Sequence, residues 1–215
     1  MKRLIVKVCG MRDGENIRRV EALAPDWMGF ICWEGSRRHV PEVPDYLPVK
    51  CRRVGVFVNP SVEYVDTRIK ELELDLVQLH GQETPDFCRA VKDLSNLKGH
   101  PVEIIKAFGI ATGKPFPDTA AYEDACDFFL FDTQTPTVGG SGQTFDWNML
   151  SGYQGNTPFL LSGGIGPDSL PPLKEFSHPY WAGVDLNSQF ETSPARKDTD
   201  KLSAFLKALR EQNNA

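Results

Sequence analysis

Eight short runs of apolar, often β-branched residues recur along the chain, and stretches with helical spacing separate most of them. The runs cover residues 4–8, 27–31, 54–58, 76–79, 102–107, 128–131, 159–161 and 181–186. Helix-start signals stand between several of them. Asp13 is placed to cap a helix over residues 15–23, Ser61 one over residues 62–72, and Thr84 one that opens with Pro85. Pro167 or Asp168 opens a short helix reaching Phe176. Apolar spacing at Leu202, Phe205, Leu206 and Leu209 predicts a last helix over residues 199–210. The second and fifth connections carry weak helical signals. Pro41, Pro44 and Pro48 break the one, and residues 109–117 of the other read as a loop.

Strand and helix alternating eight times predict an α/β fold, a (β/α)8 TIM barrel forming one catalytic domain over residues 1–215. An open doubly wound sheet shares the same pattern and stays as the alternative. With 215 residues against the ~250 typical of such barrels, few insertions are expected.

The net charge of −5 argues against a nucleic-acid partner, though a local basic pocket for a small anion remains compatible with it. No apolar run approaches the ~20 residues that span a bilayer, so no membrane partner is expected. The N-terminal residues enter a strand pattern directly, without the features of a signal peptide. Cys9, Cys32, Cys51, Cys88 and Cys126 are odd in number, scattered, and form no CxxC pair. Neither a disulfide framework nor a zinc site is expected, and the reducing cytoplasm is the expected compartment.

In barrels of this type, function collects where strands end. The first run ends in Lys7-Val8-Cys9-Gly10; Lys7 and Cys9, two apart, share a face. A lone cysteine is as readily a small buried hydrophobe as a reactive group, and Cys32, Cys51, Cys88 and Cys126 fit that description. The position of Cys9 at a strand end puts the two readings level. After the second run come Arg37 and Arg38, suited to a carboxylate or phosphate or else a solvated basic loop. The fourth run ends at His80, read in a supporting role. Asp132 follows an apolar run, where partial desolvation suits a general acid. A loop with Gly139, Gly140 and Gly142 follows, able to close over a ligand, and Asp146 is placed to cap a helix near Trp147. Gly163 and Gly164 follow the seventh run, Asn187 and Ser188 the eighth, where such barrels often bind phosphate.

Taken in order, these segments resemble the phosphoribosylanthranilate isomerases of tryptophan biosynthesis over essentially the whole chain. Lys7-Val8-Cys9-Gly10 is similar to that family's opening motif, and Ser36-Arg37-Arg38-His39-Val40 to its Ser-Pro-Arg-Tyr-Val loop. The segments 54–59, 77–81, Phe131-Asp132, the Gly-Gly-Ser-Gly loop with Phe145-Asp146-Trp147, Ser162-Gly163-Gly164 and Gly183-Val184-Asp185 follow in register.

The resemblance implies an Amadori rearrangement of N-(5-phosphoribosyl)anthranilate, a phosphorylated small molecule, with no cofactor and no metal. It implies Cys9 as general base and Asp132 as general acid. Arg38 would bind the anthranilate carboxylate, and Lys7, His80 and Asp185 would lie against the substrate. Gly163, Gly164, Asn187 and Ser188 would cradle the phosphate. The family contains monomers and dimers; a monomer is preferred here, with a homodimer as the alternative.

Three departures from the family pattern stand out. Arg37 replaces a proline, Gln189 replaces a glycine, and Ala195 follows Pro194 where glycine is frequent. Phosphate binding with altered backbone geometry is expected at Gln189. Two related phosphate-binding barrels fit less well. The histidine-pathway sugar isomerase uses two carboxylates, and indole-glycerol-phosphate synthase usually carries several catalytic lysines and an N-terminal extension. A non-catalytic ligand-binding barrel would not need Cys9, Asp132 and Arg38 together.

Overall fold

The computed structural model describes residues 3–111, 113–133 and 147–212. Eight parallel strands follow one another around a closed barrel. They are β1 (Ile5–Cys9), β2 (Trp27–Ile31), β3 (Arg52–Phe57), β4 (Leu76–Leu79), β5 (Glu103–Ile110), β6 (Phe128–Thr133), β7 (Phe159–Ser162) and β8 (Trp181–Leu186). β8 pairs back onto β1, with Lys7 opposite Asp185, and this closure excludes the open sheet. β1 and β6 are not neighbours: β7 and β8 stand between them, so their ends flank the mouth from different sides.

Strand side chains alternate between two layers. The outward layer carries Val6, Val8, Met28, Phe30, Phe57, Val77 and Leu79, buried under the helices. The inward layer fills the lower barrel with Trp27, Val54, Leu76, Ile105, Ala107, Leu130 and Leu160. Each Val, Leu or Ile among them contributes roughly 1.5–3 kcal/mol through burial. Further along the same inward faces the residues turn polar: Lys7 and Cys9 beyond Ile5, Gln78 beyond Leu76, Asp132 beyond Leu130, Asp185 beyond Gly183. The barrel is thus apolar at one end and chemical at the other.

The helices are α1 (Gly14–Glu21), α2 (Val62–Leu72), α3 (Pro85–Leu97), α4 (Leu170–Glu175) and α5 (Thr199–Gln212). Asp13, Ser61 and Thr84 cap the first three as their sequence predicts, each accepting from the backbone N–H three residues on. A 3-10 turn at Pro167–Ser169 precedes α4. The eightfold helix pattern is incomplete. The β2–β3 connection has no α-helix, because its prolines remove helical donors. Glu21 holds it instead, accepting from Tyr46 Oη (2.6 Å), Val49 N (2.6 Å) and Lys50 N (2.7 Å). After β5, which runs on through Gly109 and Ile110, the described residues hold only a 3-10 turn at Ala120–Tyr122. The expected helix near Trp147 is a 3-10 segment, Trp147–Gly152. The glycine-rich loop of residues 139–142 and Asp146 lie outside the described residues.

A hairpin that sequence patterning missed, β9 (Glu191–Ser193) and β10 (Arg196–Lys197), follows β8. Asn16 of α1 pins it through both backbone groups of Lys197, at 2.8 and 2.9 Å. Among the described residues no helix is long and apolar enough to cross a membrane.

Candidate active site

A cavity of about 280 Å³ opens at the C-terminal ends of the strands. Cys9, His80, Asp132, Gly163, Gly164, Asp185, Asn187 and Ser188 line it, so eight of the residues singled out by sequence converge. Gln78, Ser162 and Gln189 complete its polar wall. A larger surface groove of about 800 Å³ lies at the opposite end, on the segments leading into β6 and β7. Its Glu123 is occupied by Tyr153 Oη, Asn156 N and Thr157, which marks a structural clasp.

Cys9 is buried at the end of β1. Gly29, its neighbour on β2, makes room for the thiol: a Cβ there would lie 2.7 Å from Cys9 Sγ. Burial pushes the Cys9 thiol above its ordinary pKa, against the pull of Lys7, while Asp185 adds to the upward push and Lys197 opposes it. Lys7 lies below Cys9, wholly buried, with Nζ 3.0 Å from Asp185 Oδ1. The two form a buried ion pair, in which each charge offsets the desolvation of the other. Burial works against the Lys7 charge, but Asp185 and Cys9 outweigh it and hold its pKa above the usual lysine value. Lys7 is therefore a fixed cation behind the cavity wall, not part of its lining.

Gly10 follows in the left-handed region at φ +79°, with Arg38 and Asn187 packed where a side chain would stand. Arg38 is the arginine that turns inward, while Arg37 is exposed. Arg38 stands at the rim and forks onto Glu191, with Nε–Oε1 at 2.8 Å and Nη2–Oε2 at 2.6 Å. Glu191 also accepts from Lys197 Nζ at 2.7 Å, and Lys197 donates to Asn187 Oδ1 at 2.8 Å. Burial opposes the Glu191 charge, yet Arg38 and Lys197 together hold its pKa below the usual carboxylate range. For Lys197 burial prevails over Glu191, and its pKa is lowered. Glu191 and Lys197 escaped sequence reasoning because the hairpin that carries them has no periodic signal.

Across the cavity, His80 Nε2 lies 3.3 Å from Asp132 Oδ2, both side chains partly exposed at 35% and 28%. His80 Nδ1 lies 3.0 Å from Gln78 Nε2. Gln78 was legible as the one polar residue among Leu76, Val77 and Leu79. Gly163 and Gly164 adopt φ +92° and +68°, turning the loop after β7 in a way other residues rarely permit. Gln189 lies in a 3-10 turn, Ser188–Phe190, and is not among the positive-φ residues. Among the described residues no group of three or more His, Cys, Asp or Glu is placed to hold a metal ion.

The family model of N-(5′-phosphoribosyl)anthranilate (PRA) isomerase matches residues 6–208. An N-(5′-phosphoribosyl)anthranilate isomerase of Phocaeicola vulgatus is 49% identical over 209 residues, covering 97% of this chain and 99% of that protein. The crystal structure of phosphoribosyl anthranilate isomerase from Thermotoga maritima superposes with a TM-score of 0.79 at 29% identity, covering 97% of this chain and all (100%) of that one. Another, of a phosphoribosyl anthranilate isomerase in complex with reduced 1-(o-carboxyphenylamino)-1-deoxyribulose 5-phosphate, gives 0.77 at 26% identity, covering 97% and 100%. With its barrel and nearly its whole length in agreement, the chain belongs to the N-(5′-phosphoribosyl)anthranilate isomerase family.

Proposed function

We propose that the chain, acting as one catalytic domain, converts N-(5-phosphoribosyl)anthranilate to 1-(2-carboxyphenylamino)-1-deoxyribulose 5-phosphate in tryptophan biosynthesis. The observation that carries the reading is the placement of Cys9 and Asp132 on different walls of one cavity, with Gly163, Gly164, Asn187 and Ser188 on the strand ends between them. Asp132 gives its proton to the ribose ring oxygen, the C1–O bond breaks, and the anilino nitrogen forms a Schiff base. Cys9 then takes the proton from C2, leaving an enolamine that becomes the ketone product. Protons move and no electrons are gained or lost.

Burial makes the Cys9 thiolate a strong base once formed, and Lys7 and Lys197 supply the positive charge that permits its formation. Arg38 takes the anthranilate carboxylate, held in orientation by Glu191. Asp185 lines the sugar side of the cavity, and Lys7 stands behind it as its buried counterion. Gly163, Gly164, Asn187 and Ser188 bind the phosphate through backbone N–H groups and side-chain donors. The reading includes a monomer working in the cytoplasm. The exposed large apolar side chains among the described residues are few (Trp33, Val43, Val49, Tyr64, Leu97), which supports the monomer, and sedimentation checks it.

The test follows loss of anthranilate-type fluorescence with freshly made substrate. Wild type should turn over rapidly, and Cys9→Ser and Asp132→Asn should each lose ~10²–10⁴-fold. A folded wild type without turnover would overturn the activity. Turnover by both variants would overturn the acid–base assignment.

A further inference from the structure

Gln78 is a buried amide on β4, and it shares the inward face with His80 two residues on. A buried amide costs free energy unless its groups find partners. Gln78 uses one: its Nε2 lies 3.0 Å from His80 Nδ1, while Oε1 has none. An amide nitrogen can only donate, so Nδ1 must accept, and the proton of a neutral ring stands on Nε2. That nitrogen faces Asp132 Oδ2 at 3.3 Å. Reversing the amide would ask Nδ1 for a proton and leave a bare Nε2 to take up the acidic proton of Asp132, away from a substrate.

The backbone beneath the ring is fixed as well. His80 N donates to Phe57 O at 2.8 Å. Glu83 accepts from Gly81 N (2.9 Å) and Asn59 N (2.8 Å), and Lys106 ties its carboxylate to the carbonyl of Gly81. In this placement of the ring, the group against Nδ1 sets the tautomer.

We propose that Gln78 is a positioning residue that locks His80 as the Nε2–H tautomer and, through it, orients Asp132 for proton donation; this rests on the acid role proposed for Asp132. With Oδ2 facing the imidazole N–H at 3.3 Å, the acidic proton is carried on Oδ1. When it passes to the ring oxygen and the C1–O bond breaks, the new carboxylate draws that N–H into a charge-assisted hydrogen bond. His80 gains and loses no proton.

The test has a spectroscopic and a kinetic arm. In ¹⁵N-histidine-labelled protein without substrate, His80 should show a pyridine-type Nδ1 and a pyrrole-type Nε2. Assignment among the four histidines follows from the signals lost in His80→Gln. Gln78→Glu, whose carboxylate only accepts, should move the proton to Nδ1. Gln78→Met, similar in size without the hydrogen bond, should lower kcat about tenfold at unchanged KM, a small share of the ~10²–10⁴ a positioned acid supplies. In the His80→Gln background an amide faces Asp132 and there is no tautomer to lock, so Gln78→Met should cost no further activity. A wild-type ring protonated on Nδ1, or an equal loss in both backgrounds, would overturn the proposal. The spectrum needs no turnover, so an inactive wild type with the expected ring would sink the isomerase reading and leave the tautomer lock standing.

Discussion

The two walls of the cavity are built by different means. On the β1 side Cys9 is buried among fixed charges, with Lys7 and Asp185 below it and Lys197 beside it. On the β4–β6 side Asp132 is partly open to solvent and touches a neutral-capable ring. The first wall sets its chemistry through burial and charge held in a rigid strand. The second sets it through hydrogen bonds that a ligand can complete. Steric changes should therefore damage the first wall most, and changes of donor or acceptor the second.

Gly29→Ala tests the rigid wall most severely. The added methyl would stand 2.7 Å from Cys9 Sγ and 3.1 Å from its Cα, inside normal contact. Gly29 cannot retreat, because its carbonyl accepts from both Gly10 N and Met11 N at 2.9 Å. The thiol must shift, and a displacement of ~1 Å costs on the order of 10²-fold in rate. Turnover should drop by about that factor, in a protein whose far-ultraviolet spectrum is unchanged. Full activity in Gly29→Ala would show that the Cys9 wall is compliant and would remove the contrast.

Legibility in the sequence follows the same division. The strands were readable because their inward and outward positions are both apolar in the lower barrel, and β2, β4 and β8 fall on the residues predicted. β6 was read two residues short because Asp132 breaks the apolar run while the backbone pairing continues to Thr133. The helix-less β2–β3 connection announced itself through its prolines. The polar residues at strand ends were legible by position alone. The Arg38–Glu191–Lys197 cluster was not, since it joins a loop after β2 to a hairpin after β8, and a pairing over 153 residues leaves no local trace.

Glu191→Gln probes that cluster and should have the next largest effect. The amide keeps the size but not the charge, leaving Lys197 buried without its counterion. Arg38 loses its fork and must be ordered by the substrate itself, so KM should rise about tenfold, ~1.4 kcal/mol, with a smaller change in kcat. Stability carries a sign that can be checked. The folded pKa of Glu191 lies below its unfolded value of about 4.3, so its contribution is complete above that pH and is lost as pH falls through the folded value. The stability gap between wild type and Glu191→Gln, measured by urea unfolding, should therefore be full at neutral pH and narrow only in stronger acid. A gap independent of pH would mean that the charge of Glu191 does not stabilise the fold.

The smallest effect lies in the same hairpin and has the opposite sign. Ala195 is buried at φ +67°, and its N–H donates to Glu191 Oε1 at 3.2 Å. A left-handed L-residue costs roughly 1–2 kcal/mol, whereas glycine gives back only about 0.4–1 kcal/mol through the greater freedom of the unfolded chain. Ala195→Gly should thus stabilise the protein by about 0.5–1 kcal/mol, read as a rise in the urea midpoint at constant slope. Glu73 closes α2 at φ +47°, away from the cavity, and Glu73→Gly offers a control with a gain of similar origin, reduced by loss of its ion pair with Arg53. If the hairpin's strain serves only to place Glu191, Ala195→Gly should leave KM unchanged, because the same backbone angle persists and Glu191 keeps both cations. A raised KM with a stabilised fold would show instead that the methyl of Ala195 packs the latch, and that the rigid wall extends from β1 into the hairpin.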